Sequence, residues 1–176
     1  MTSSLQTSLR NALSGARRVA VLGVGSDLRG DDAAGIRVAA ALERSLSGRK
    51  DVGVFLGHTA PENFSGIIRV FAPSHLVAVD AAGLGSIAGQ AAILRGDDIG
   101  DTGLCTHGLP LSVMFAYLRE ALPSLEVVVI GIQPEDTGFG KPVSEAVSRA
   151  STRVARDLSA AIRSALGEAR KPTIPE

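Results

Sequence analysis

The stretch VAVLGVGSDLRGDDAAG, Val19 to Gly35, joins an almost unbroken apolar run to a glycine pair and then to a polar turn crowded with aspartates. A continuous β-branched and aliphatic run is how a strand buried on both faces reads. Gly23 and Gly25 suit a tight exit from that strand, and Asp31 and Asp32 stand where a helix would begin. The local reading is strand, turn, helix.

The pattern recurs along the chain. Further apolar runs are VGVF from Val52, HLVAVDA from His75 and EVVVIGI from Glu126, and a weaker one, AAIL from Ala91, has the punctuation of an edge strand. Helical spacing fills the gaps. Val38, Ala41, Leu42 and Leu46 extend a helix starting near Asp32. Leu111, Met114, Phe115, Leu118 and Leu122 mark another, ending before Pro123. The longest is expected from Pro142 to about Leu166, with Val147, Ala150, Val154, Leu158 and Ile162 on one stripe and Arg149, Arg153, Arg156 and Arg163 facing water. PENFSGIIRVF, from Pro61, predicts a short helix, and Leu5, Leu9 and Leu13 predict a helical extension within residues 1–16. Strands alternating with helices predict one α/β domain over residues 1–176: an open, twisted, mostly parallel five-stranded sheet sandwiched by helices. Residues 168–176, with two prolines, are expected to form a flexible tail.

Composition removes several function classes. The chain has 176 residues, with 18 Lys plus Arg against 18 Asp plus Glu, so no net field recruits nucleic acid or an anionic membrane. Aromatics are 3% with no Trp, which leaves little for a base-stacking platform. The single cysteine, Cys105, excludes an internal disulfide and a CxxC zinc site, and fits a reducing, cytoplasmic setting. No apolar run reaches the roughly 18 residues of a spanning helix, so membrane insertion is not expected.

In an open α/β sheet, ligands bind beyond the carboxyl ends of the strands. The segments there carry Asp27, Asp31 and Asp32 after the first strand, His58 and Glu62 after the second, Asp80 at the end of the third, and Gln133 after the last. Thr106 and His107 precede the Met114 helix. GVGSDLRG is a poor dinucleotide turn, because the third glycine of GxGxxG falls on Leu28 and the aspartates would meet a pyrophosphate with like charge. Asp32, Asp80 and His107 instead offer two carboxylates and an imidazole, a donor set suited to zinc, nickel or a related divalent ion. Asp31 or Asp32 also reads as a helix cap. Asp80, closing an apolar run, needs a partner or a function, since isolated buried charge is costly.

The ordered blocks GSDLRGDDAAG, TAPEN, VDAAGLG, THGLPLS and GIQPE, spread between Val19 and Val147, resemble the hydrogenase maturation proteases. These trim the C-terminal extension from the large-subunit precursor of nickel-iron hydrogenases. The resemblance implies metal-binding and catalytic roles for Asp32, Asp80 and His107, acting on nickel already installed in the precursor, so that nickel is supplied by the client and zinc or another divalent ion is an alternative. His58, Glu62, Thr106 and Gln133 are candidate substrate contacts, and Asp31 or Glu62 a candidate base. The chain departs from the family pattern twice: Ser26 follows Gly25 where Asn is usual, and Leu56, Gly57 and His58 replace the DGG of many members.

Three other readings compete. A noncatalytic nickel-sensing chaperone would bind the same precursor without cutting it. A Rossmann-type nucleotide enzyme ranks below that. A cysteine protease would need Cys105 and His107, two residues apart, to transfer a proton, which that spacing rarely permits.

Overall fold

In the computed structural model, residues 4–94 and 111–167 are described. Five strands form one sheet: β1 (Val19–Val24), β2 (Val52–His58), β3 (His75–Ala81), β4 (Ala91–Leu94) and β5 (Glu126–Ile132), in the order β2-β1-β3-β5-β4. The first three strands and β5 run parallel, and β4 pairs antiparallel with β5 at an edge. The sheet is open and mostly parallel, as the apolar runs predict.

Alternation along the strands splits the core in two. Val19 and Val21 of β1, Val77 and Val79 of β3, and Val128, Ile130 and Ile132 of β5 face one layer. That layer holds helices α1 (Ser4–Ala12), α2 (Ala34–Ser45) and α5 (Glu145–Leu166). Ala20, Leu22, Leu76, Ala78 and Val129 face the other, built from α3 (Ser65–Phe71) and α4 (Leu111–Ala121). Each fully buried Leu or Val there is worth about 1.5–3 kcal/mol over exposure. Helix α1 is part of this core, because Leu9 and Leu13 are fully buried and the helix packs on α5 and β4.

Two boundaries differ from expectation, each for a local reason. The helix predicted from Pro142 starts at Glu145, since the Ser144 hydroxyl accepts from Val147 N at 3.3 Å and caps it there. The helix expected from Asp32 is preceded by a single 3-10 turn, Gly30–Ala33, and a similar turn, Pro61–Phe64, leads into α3. Helix α3 stops where Ala72 takes a left-handed conformation, φ 50°. The expected tail, 168–176, lies outside the described residues. Among the described residues no helix is long and apolar enough to cross a membrane.

Candidate active site

Helix α2 sits against the ends of two strands because Gly35 has no side chain. A Cβ there would collide with the carbonyl oxygens of Val79 and Val24. Gly25, at φ +128°, likewise lets the turn fold back until its α-carbon abuts the Asp32 carbonyl. These two approaches bring the Gly30–Ala33 turn over the carboxyl edge, beside the end of β3.

Asp32 and Asp80 meet there. Asp32 is 8% exposed, and its Oδ2 accepts from Ser26 N at 2.8 Å. The Ser26 hydroxyl in turn accepts from Leu28 N at 3.3 Å, so Ser in place of Asn still organises the turn. Asp80 is 5% exposed, and Oδ1 accepts from Ala81 N at 2.8 Å. Burial, and next the negative charge of Asp32, push the Asp80 carboxyl up to about 8, against the small lowering from Ala81 N. A pair of adjoining buried carboxylates is a donor set suited to a cation.

Asp31 lies next in sequence and does something else. It is fully buried, and its carboxylate accepts from Glu135 N at 2.8 Å, Asp136 N at 3.2 Å, Ser144 N at 2.6 Å and Ser144 Oγ at 2.9 Å. Burial alone would raise this carboxyl, but the backbone N–H groups of Ser144, Glu135 and Asp136 and the Ser144 hydroxyl outweigh it and hold the group below its ordinary range. A carboxylate so held is a poor proton acceptor, which removes Asp31 as a candidate base. It caps no turn of its own either: the Gly30–Ala33 turn has no side-chain cap, and Asp31 instead fixes the loop entering α5.

The remaining candidates fall at the same edge with different surroundings. His58 ends β2 at φ 48°, uncommon for a residue with a side chain; its carbonyl accepts from Gly25 N at 3.0 Å, and Nδ1 stands 3.6 Å from Asp27 Oδ2. Glu62 opens the turn after β2, and its Oε2 is a buried acceptor with no hydrogen bond among the described residues. Gln133 uses its side chain internally: Oε1 accepts from Leu84 N at 2.7 Å and Nε2 donates to Pro134 O at 3.0 Å, so it holds the loop after β3. His107, Thr106 and Cys105 lie outside the described residues. His75 sits at the opposite, amino-terminal edge, with Nδ1 3.1 Å from Ser74 Oγ.

A family model described as hydrogenase maturation protease matches residues 36–161. The hydrogenase 3 maturation protease of Escherichia coli is 34% identical over 140 residues, covering 78% of this chain and 86% of that one. The chain belongs to the hydrogenase maturation proteases. The crystal structure of the [NiFe] hydrogenase maturation protease HycI from Thermococcus kodakarensis superposes with a TM-score of 0.78 at 32% identity, over 89% of this chain and 99% of that one. The hydrogenase maturating endopeptidase HybD of Escherichia coli gives a TM-score of 0.68 at 25% identity, over 84% and 93%. This maturation protease is therefore a peptidase hydrolase on an open α/β fold shared with both.

Proposed function

We propose that this maturation protease removes the C-terminal extension of a nickel-iron hydrogenase large-subunit precursor after nickel insertion, in the cytoplasm, with Asp32, Asp80 and His107 as its metal-facing catalytic residues. The observation carrying this reading is the buried Asp32–Asp80 pair, in which burial first and the Asp32 charge second raise the Asp80 carboxyl to about 8. Hard carboxylate oxygens fit a divalent ion, and together with the imidazole of His107 that the resemblance implies they would suit nickel presented by the client or a zinc-like ion held at rest. Such an ion would polarise the scissile carbonyl or acidify the attacking water.

The chain's own groups do the positioning. Ser26 N fixes the orientation of Asp32, and Ala81 N fixes that of Asp80. Asp31 holds the loops around them, and Glu62 and His58 stand where the client backbone would approach. With Asp31 committed to hydrogen bonds, Glu62 is the remaining candidate base from the first reading.

The test is mass spectrometry of nickel-loaded and nickel-free precursor after incubation with the wild-type chain and with Asp32→Asn. Loss of one C-terminal peptide only with nickel and intact Asp32 is expected. Nickel-dependent binding with no mass loss would favour the chaperone reading. Cleavage that survives Asp32→Asn and stops with Cys105→Ala would favour the cysteine nucleophile.

A further inference from the structure

Two large apolar side chains stand out on the rim of this site. Leu28 is 64% exposed and Phe139 is 75% exposed. They lie on the segments that leave β1 and β5, the two strands flanking β3, whose end carries Asp80. Those segments are bound together: Gly140 N donates to Leu28 O at 2.8 Å, Asp31 N donates to Asp136 O at 2.9 Å, and the Asp31 carboxylate takes Glu135 N and Asp136 N. Their exposure is therefore held in place by the fold and does not reflect a frayed loop.

We propose that Leu28 and Phe139 form a docking shelf for an apolar side chain of the client polypeptide close to its scissile bond; this rests on the processing activity proposed above. Beside the shelf, Asp27 faces the His58 imidazole at 3.6 Å and Asp136 faces Lys141 at 3.8 Å, so part of the charge on this rim is answered locally while the two apolar side chains stand open. Size decides the occupant. A Phe and a Leu together cover a few hundred Å² at most, whereas a stable dimer needs about 1,200 Å² or more. The shelf suits one anchoring side chain of an extended segment, and its continuity with the Asp32–Asp80 edge makes that segment the one being cut. A few well-packed contacts commonly carry most of the energy of such an interface.

The experiment compares the wild type, Leu28→Ser/Phe139→Ser and a control, Val70→Ser, which changes an 80% exposed valine on α3 in the opposite layer. Each is assayed for cleavage of nickel-loaded large-subunit precursor, for its affinity for that precursor, for self-association by analytical ultracentrifugation, and for its melting temperature. The double variant is expected to raise KM and Kd at least about tenfold, with kcat within about twofold and an unchanged melt. Val70→Ser should match the wild type. Unchanged KM and Kd beside normal wild-type cleavage would overturn the shelf and leave the protease standing. A wild type that binds without cutting would overturn the protease reading, and the Kd comparison would still decide the shelf. Neither binding nor cutting overturns both. Loss of self-association with processing intact would assign the patch to a second copy and overturn the proposal. Should the double variant melt early, Phe139→Ala alone is read by the same criteria.

Discussion

The Asp31 carboxylate receives both the backbone N–H and the hydroxyl of Ser144, at 2.6 and 2.9 Å, while the same hydroxyl accepts from Val147 N. The start of α5 is thus capped by a serine that is itself held from the first turn after β1.

Replacing that carboxylate tests how much the joint is worth. Asp31→Asn presents an amide to backbone N–H groups that need an acceptor, leaving buried donors unsatisfied. A loss of about 2–4 kcal/mol is expected, since each unmet buried group costs about 1–3 kcal/mol. Urea melts measure it, and a loss below about 1 kcal/mol would show the loop to be held by other means.

Gly35 should tolerate no side chain. Gly35→Ala drives a methyl into the Val79 and Val24 carbonyls, so α2 must lift and Asp32 must leave Asp80. Processing is expected to fall at least about a hundredfold, as misplacement by an ångström does elsewhere. Gly66→Ala, with open space around it on α3, should be neutral or stabilise by up to about 1 kcal/mol. Equal behaviour of the two variants in melts and assays would refute the close-approach argument.

Asp80 makes the metal-free chain less stable as pH rises. Its folded-state carboxyl is raised from the ordinary 3.8 to about 8, so between those values the folded chain binds more protons than the unfolded one and stability falls with pH. Asp80→Asn stays neutral and should gain on the wild type progressively from about pH 5 to pH 8 in chelator-treated melts. Parallel curves would sink this account.

His75 acts in the opposite sense at the other edge of the sheet. Burial lowers its folded-state value, against a rise from Glu126 and a further lowering from Arg17. The unfolded chain then takes up protons first, and stability is lost as pH falls through about 6.5. Thermal melts between pH 7 and pH 5 should show this loss in the wild type, and His75→Gln should reduce it. An identical slope in the variant would mean that another group titrates there.

The sheet was legible because β1 and β3 are buried on both faces and so read as unbroken apolar runs, with AAIL correctly marked as the weaker edge strand. Asp80 was legible for a related reason: a charge that closes such a run must be accommodated. The role of Asp31 was not, since its partners lie 104 to 113 residues away and leave no mark on local spacing. The start of α5 at Glu145 instead of Pro142 follows from the Ser144 cap, which Asp31 holds from afar. Gln133 shows a similar limit: its position after β5 marked the functional edge, but only the fold reveals that its amide is engaged with Leu84 and Pro134.

The packing of α1 on α5 has a consequence for how the chain comes together. Leu9 and Leu13 are synthesised well before the helix ending at Leu166, yet that helix supplies much of the surface that buries them. Strand β3 must similarly wait for β5 before its second neighbour exists. The apolar stripe of α1 would therefore stay uncovered until α5 has been translated, so docking of these two helices should be a late step in folding this domain, slowed by the long loop it closes.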